Sequence, residues 1–359
     1  MTPSAPPKKI RLGFVGAGKQ AQTAHLRYYS TLPDCELVAI ADADTDLARR
    51  VAVRFGIGRT EASHTALIER GGIDACVAVL PGIASSEQVV VDFLKAGIPL
   101  LTEKPLAAIP AAAVRIAAAA RETGSLLRVA FHKRSDPATI AAIREIRRLK
   151  TSGELGKMTY ARIHVSLAGD WIAGGHFDNI KGTAAFKSQE APEADFPGMN
   201  AGARGLFGMF AGGHGHQFDW MRHLLGEPFK VVHADPSKVL LVVRSESGIP
   251  AVFEFIPYQS TRDWIENAIV CFERGYVKVD LPPPLLINMP GSVEFFRNGP
   301  AEEQATRTTV VLPYEGAMRR QAALFLDTVR GVETDLCDAA QGLESVEIAR
   351  DFAIRMSGD

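Results

Sequence analysis

Three short stretches of this 359-residue chain carry residue types whose spacing suits chemistry. They are Gly16-Ala17-Gly18-Lys19-Gln20-Ala21, Glu103-Lys104-Pro105 and Gly212-Gly213-His214-Gly215-His216. In a G-x-G-x-x-A pattern the first glycine permits a tight turn and the second lets backbone approach a pyrophosphate. The alanine lets the following helix pack on a sheet. Gly16, Gly18 and Ala21 fill these positions, with Lys19 and Gln20 beside the phosphate-facing amides of the helix N-terminus. Asp42 stands where a carboxylate accepts hydrogen bonds from adenosine ribose hydroxyls. That charge repels a 2′-phosphate, so NAD is expected over NADP. Arg49 and Arg50, on the next predicted helix, read as solvated side chains.

Lys104 follows a predicted strand, at the edge where open α/β sheets bind ligands. Pro105 fixes the backbone after it and biases Lys104 toward an extended conformation. A lysine so held can reach a substrate hydroxyl beside a nicotinamide, and burial with a nearby positive charge lowers its pKa toward proton transfer. The plainer alternative is a surface lysine beside a turn.

These residues need a scaffold, and the first third of the chain supplies a regular one. Apolar runs at 10–15, 36–41, 75–80, 99–102 and 126–131 alternate with helical patterns at 44–55, 64–70, 87–96 and 111–123. Ser85 with Gln88 forms a capping box, and Gly97 and Gly124 follow helix ends. Continuous apolar strands alternating with helices indicate a parallel sheet covered on both faces. Leu80, Pro81, Glu103 and His132 lie at or after strand ends and are further cofactor-binding candidates. The fold expected is α/β, an N-terminal Rossmann doubly wound parallel sheet over 1–133.

Residues 134–359 change rhythm. A helix at 137–150 leads to a strand at 158–166, with Tyr160, Arg162 and His164 outward and Ala161, Ile163 and Val165 inward. Strand patterns follow at 230–233, 239–245, 250–256, 265–272, 276–281, 293–296 and 308–312, with helices at 318–329 and 343–356 packing back across the domains. This predicts an α+β substrate-binding domain with a mostly antiparallel open sheet. A cleft between the domains is the default place for a substrate. Residues 168–211 read as a long irregular connection, a functional lid or a partly ordered segment. Trp171 and Trp220 could stack on a sugar or simply pack.

Formal charge of −1 and the lack of a long basic run give no reason to expect nucleic acid or an anionic membrane as partner. No segment offers the ~20 apolar residues of a membrane span, and residues 1–9 resemble neither a signal peptide nor a twin-arginine signal. Cys35, Cys76, Cys271 and Cys337 are scattered, which fits reduced thiols and a cytoplasmic location.

Gly16-Ala17-Gly18, Asp42, Glu103-Lys104-Pro105 and an antiparallel second half opening with Ser152-Gly153-Glu154-Leu155-Gly156-Lys157 together resemble the Gfo/Idh/MocA oxidoreductases. The resemblance runs through Ser357-Gly358 and implies an NAD(P)-dependent dehydrogenase of sugars, sugar derivatives or cyclitols. It also implies a homodimer or homotetramer built through the C-terminal sheet, and a lysine, Lys104, between nicotinamide and substrate. The family's D-x-G-x-H signature falls on Gly212-Gly213-His214-Gly215-His216. His216 then corresponds to the general base, whose ordinary pKa near neutrality suits it to take a hydroxyl proton. Gly212 stands where the family has Asp, and His214 where it has glycine.

His214 either stands in for the missing Asp as a catalytic residue or joins Phe218, Met221 and Leu225 on an apolar helix face. Metal binding by the two histidines with Asp219 or His176 has too few ligands to define a site, so no metal is expected. Arg134, Asp170, Asn179 and Lys181 are candidates for reading substrate polarity. The leading expectation is hydride transfer from a secondary alcohol to NAD. The alternatives are redox-neutral lyase, epimerase or glycoside-cleaving chemistry through a keto intermediate on tightly held NAD, and a non-catalytic NAD-binding sensor.

Overall fold

The computed structural model describes residues 8–80, 85–166, 178–183, 191–258, 263–299 and 304–358. In chain order its strands are β1 (Ile10–Val15), β2 (Cys35–Ala41), β3 (Arg59–Glu61), β4 (Ala75–Ala78), β5 (Leu100–Thr102), β6 (Leu127–Val129) and β7 (Met158–Ser166). They continue with β8 (Phe229–Ala234), β9 (Leu240–Ser245), β10 (Pro250–Ile256), β11 (Glu266–Phe272), β12 (Gly275–Asp280), β13 (Ser292–Arg297), β14 (Thr306–Thr309) and β15 (Cys337–Asp338). The chain divides into two compact units. One comprises 1–130, 177–195 and 321–340, the other 131–176, 196–320 and 341–359.

The first unit holds a seven-stranded sheet in the order β15-β6-β5-β4-β1-β2-β3. All its neighbours are parallel except β15, which runs antiparallel to β6. Between β1 and β4 the order reverses direction, which is the topological switch point of a doubly wound sheet. Leu12, Phe14, Ile40, Val77, Leu100 and Leu101 are fully buried, as strands covered on both faces require. The short strands β3 and β15 have too few apolar residues to stand out by pattern. Helix Thr45–Phe55 is capped by Asp44, which accepts from Leu47 N, and closed by Gly56 at φ +69°. The Ser85 side chain of the expected capping box lies outside the described residues.

An eight-stranded sheet ordered β14-β13-β12-β11-β7-β10-β9-β8 forms the second unit. It is antiparallel throughout except for the β7–β10 pair. Along β7, Ala161, Ile163 and Val165 are wholly buried while the alternate side chains are half-exposed, as the strand period predicts. Helices Pro137–Ser152 and Gly215–Leu225 cover the buried face, with Phe210, Phe218, Phe253, Phe255 and Phe352 forming an aromatic core. Trp220 is completely buried, which fits packing rather than stacking on a sugar. Trp171 lies outside the described residues.

The irregular connection expected over 168–211 is corrected at its end. Ala201–Met209 is an α-helix capped by Asn200, and it runs through a π-helical stretch, Phe210–His214, into Gly215–Leu225. Three glycines and no strong apolar period hide this helix in the sequence, while burial of Ala203, Phe207 and Phe210 stabilises it.

The glycine turn shows the tightest local constraint. Gly16 has φ +95°, and a Cβ there would lie 2.0 Å from the Val79 carbonyl oxygen. At Gly18 a Cβ would meet nothing within 4 Å. Gly16→Ala is expected to lower the unfolding free energy by about 3 kcal/mol or more, from overlap and backbone strain together. Gly18→Ala should stay within about 1 kcal/mol of the parent. Urea denaturation of both variants checks this, and equal stabilities would refute it.

Candidate active site

In the first unit, register fixes the level of the candidate residues. Val15 pairs with Ala41 and Ala78, Ala78 with Thr102, and Thr102 with Val129. The residues that follow these strands, namely Gly16, Asp42, Leu80 and Glu103-Lys104, therefore emerge along the C-terminal edge of one sheet. Backbone bonds extend the alignment past the strands, from Gly16 N to Ala41 O (2.8 Å), Val79 N to Val15 O (2.8 Å) and Glu103 N to Ala78 O (3.1 Å). Gly18 and Lys19 are exposed and Gln20 half-buried, so the amides that open the helix face solvent. Pro81 lies outside the described residues.

Asp42 is anchored by its backbone neighbours. Oδ2 accepts from Ala17 N at 2.7 Å, inside the glycine turn, and Oδ1 from Asp44 N at 2.8 Å. An ionised carboxylate offers about four lone-pair sites, so it can still receive a ribose hydroxyl. A turn wide enough for backbone approach, a helix N-terminus and a fixed carboxylate make a cradle that fits a dinucleotide.

Glu103 gathers a cluster that the sequence did not reveal. Its Oε1 lies 2.6 Å from His25 Nε2 and accepts from Gln20 Nε2 at 3.2 Å, while Oε2 accepts from Lys104 N at 3.1 Å. His25 is almost wholly buried. Burial pushes the Glu103 carboxyl up, but the His25 hydrogen bond, the charges of His25 and Lys104 and the Gln20 bond outweigh it and hold the group below the usual range. Glu103 thus ties the helix after the glycine turn to the Lys104 loop, whose Lys104–Pro105 bond is cis. The signal in the sequence was slight, a polar His25 between Ala24 and Leu26 in the helix after the glycine turn.

His132 and His216 both belong to the second unit, with ring centroids 4.3 Å apart, and Phe131 meets His216 edge-on at 5.6 Å. His216 is half-buried at the second position of helix Gly215–Leu225. Gly212 and Gly213 are exposed, and a Cβ at either would meet nothing within 4 Å. Packing therefore does not forbid the family's Asp at position 212.

His214 faces the other way. Its ring sits 4.0 Å from Phe255 and 5.3 Å from Phe210, and burial holds its pKa down at about 3. Such a ring is neutral at working pH, and its surroundings favour packing over catalysis.

Beside the two rings, buried Lys133 pairs with Glu266, which also accepts from Gln217 Nε2 at 2.6 Å. Lys133 lies 5.7 Å from the Trp264 ring centre. A cleft here is lined by His132, Lys133 and Asp136 and by the proline run 282–284 with Met289. Arg134, expected to read substrate polarity, instead makes a bidentate buried pair with Asp219 (2.7 and 2.5 Å), to which Arg222 adds a bond of 3.1 Å. Burial pushes Asp219 up, and the Arg134 and Arg222 charges outweigh it, so the group stays below the usual carboxylate range. Asp219 is thereby committed to arginine. Among the described residues no group of three or more His, Cys, Asp or Glu side chains is placed to hold a metal, and His176 lies outside them.

Asn179 and Lys181 are held in the first unit, where Asn179 Oδ1 accepts from Thr23 and Lys181 O from Arg50. Arg50 is therefore not simply solvated; Arg49 pairs with Asp46. Asp170 lies outside the described residues.

Residues 10–131 match the model of the Gfo/Idh/MocA oxidoreductase family, NAD-binding Rossmann fold. That stretch of the chain is the part similar to the family. Inositol 2-dehydrogenase 4 of Saccharopolyspora erythraea is 30% identical over 151 residues, 42% of this chain and 43% of that protein. The scyllo-inositol 2-dehydrogenase (NAD(+)) of Bacillus subtilis is 24% identical over 254 residues, 67% of this chain and 65% of its own. A 3-ketoreductase from Actinomadura kijaniata, solved with TDP-benzene and NADP, shares the fold at a TM-score of 0.65 and 19% identity over 96% of each chain. The chain spans less than half the length of the first of these relatives. Among the described residues no helix is long and apolar enough to cross a membrane, and the four cysteines are free.

Two expected outcomes follow from the buried charges. Asp219→Ala leaves Arg134 buried without its carboxylate and should cost about 3–5 kcal/mol in denaturant unfolding; a loss under 1 kcal/mol would contradict the ion-pair account. Burial raises the Asp136 carboxyl from 3.8 to about 6, against the amides of Ala138 and Gly291 that favour its charged form. The folded chain holds a proton that the unfolded chain releases, so this group costs stability progressively as pH climbs from 3.8 to about 6. Asp136→Asn should gain stability relative to the parent across that window, and a pH-independent difference would refute the assignment.

Proposed function

We propose that this protein is an NAD-dependent dehydrogenase that oxidises a secondary alcohol of a sugar, sugar derivative or cyclitol. The observation that carries this reading is the common edge of the first sheet, where the glycine turn, Asp42 and Glu103-Lys104 follow paired strand ends. Gly16, Gly18, Lys19 and Gln20 hold the phosphates, and Asp42 takes the adenosine ribose. Leu80, Pro81, Glu103 and His132 complete the cofactor surroundings. A bound nicotinamide supplies the hydride acceptor.

Lys104 orients the substrate hydroxyl and shares its proton, with Glu103 fixing the lysine backbone. His216 is the general base, its ring orientation set by His132 and Phe131. NAD is preferred to NADP because Asp42 presents a carboxylate, fixed by two backbone amides, at the 2′ position. The functional oligomer is a dimer or tetramer formed through the open face of the eight-stranded sheet, where His164 and Arg162 meet Glu254.

The test is incubation of purified protein with NAD, and separately NADP, across a panel of sugars and cyclitols, following reduced-cofactor absorbance. Activity with at least one polyol, faster with NAD, is expected. Lys104→Ala and His216→Ala should each lower kcat by about 10²–10⁴-fold, while His216→Ala leaves NAD affinity within a few-fold. A protein that binds the cofactor but turns over no member of the panel with net reduction would speak against a dehydrogenase and for redox-neutral chemistry.

A further inference from the structure

Residues 178–183 form neither strand nor helix, yet side chains from two helices of the first unit clasp them from end to end. The Gln22 carboxamide, fully buried, donates from Nε2 to Ile180 O and accepts Ile180 N at Oε1, both at 2.9 Å. The same Nε2 donates to Ala17 O at 2.8 Å, inside the glycine turn. Thr23 Oγ1 donates to Asn179 Oδ1 at 2.9 Å. From helix Thr45–Phe55, Arg54 donates to Asp178 O, and Arg50 to Lys181 O at 3.0 Å.

The far end of the segment reaches the ribose-reading acid. Asp44 Oδ2 accepts from Thr183 N at 3.0 Å, and Asp44 N donates to Asp42 Oδ1 at 2.8 Å. Gly182 is so close that a Cβ would lie 2.9 Å from Asp44 Oδ2 and 3.1 Å from Leu47 Cδ2. The segment therefore crosses from the start of the helix after the glycine turn to the N-cap of the helix after β2. It leaves Gly18 and Lys19 exposed, so the phosphate-facing amides stay open while the adenosine side is flanked.

We propose that residues 178–183 are a retaining strap for the adenosine half of a bound NAD, held by Gln22, Thr23, Arg50 and Arg54 as positioning residues. This rests on the dinucleotide reading above. A ligand seated between the glycine turn and Asp42 is bordered by the strap on the Asp44 side, so release requires these contacts to loosen. Each bond is worth only about 1 kcal/mol, so the strap opens reversibly. Its effect appears mainly in the dissociation rate, where most affinity differences reside.

The experiment uses the full chain and NAD itself, with stopped-flow displacement for dissociation and calorimetry for affinity. Thr23→Val with Arg54→Ala removes two clasps without touching buried Gln22, and Gly182→Val wedges the strap away from Asp44. Each protein is expected to release NAD about tenfold faster, with association within about twofold and an unchanged melting temperature without ligand. Unchanged dissociation in both folded variants overturns the strap, and slower dissociation overturns it in favour of a segment that competes with the cofactor. A parent protein that binds neither NAD nor NADP instead defeats the dinucleotide reading, which the parent measurement alone reveals.

Discussion

Parallel pairing of β1 with both β2 and β4 sets the level at which the first sheet ends, and the proposed cofactor chemistry depends on that level. Parallel strands share a direction, so the residues following each one exit at the same edge. The pairing continues through β5 and β6, which brings Glu103-Lys104 to the edge that already carries Gly16 and Asp42. Register also explains the glycine at position 16. The turn runs so close to the backbone at Val79 that any side chain would strike its carbonyl oxygen.

Charge in this protein is managed by burial with partners. Glu103 is surrounded by His25, Gln20 and the Lys104 amide, and the favourable contacts overcome its desolvation. In the second unit, Asp219 is held by Arg134 and Arg222, and Glu266 by Lys133 and Gln217. Isolated charges at such depth would be far too costly. Pairing commits these carboxylates to structural partners rather than leaving them as reactive groups in their own right. His214 illustrates the opposite solution, an imidazole kept neutral among phenyl rings.

The strand–glycine turn–helix pattern, the acid after β2 and the Glu-Lys-Pro tripeptide were legible because each depends on local chemistry: a positive φ, a helix N-terminus, a proline. The antiparallel character of the second sheet was legible for the same kind of reason, since alternation along β7, β10 and β11 reports one buried face. Helix Ala201–Met209 was not, because its glycines mask a helix that tertiary burial stabilises. Arg134 looked available to a substrate until folding brought it to Asp219, 85 positions further along the chain.

The sequence by itself determined the strand–helix alternation of the first third, the Rossmann half, the candidate cradle at Gly16 and Gly18, and the resemblance to the Gfo/Idh/MocA oxidoreductases. Only the tertiary structure decided which polar groups meet: His25 with Glu103, His132 with His216, and Gln22 with Ile180. Periodicity and turn chemistry act over a few residues and can be read along the chain. Partnerships between side chains far apart in sequence arise only when packing excludes water and obliges each buried polar atom to find its complement.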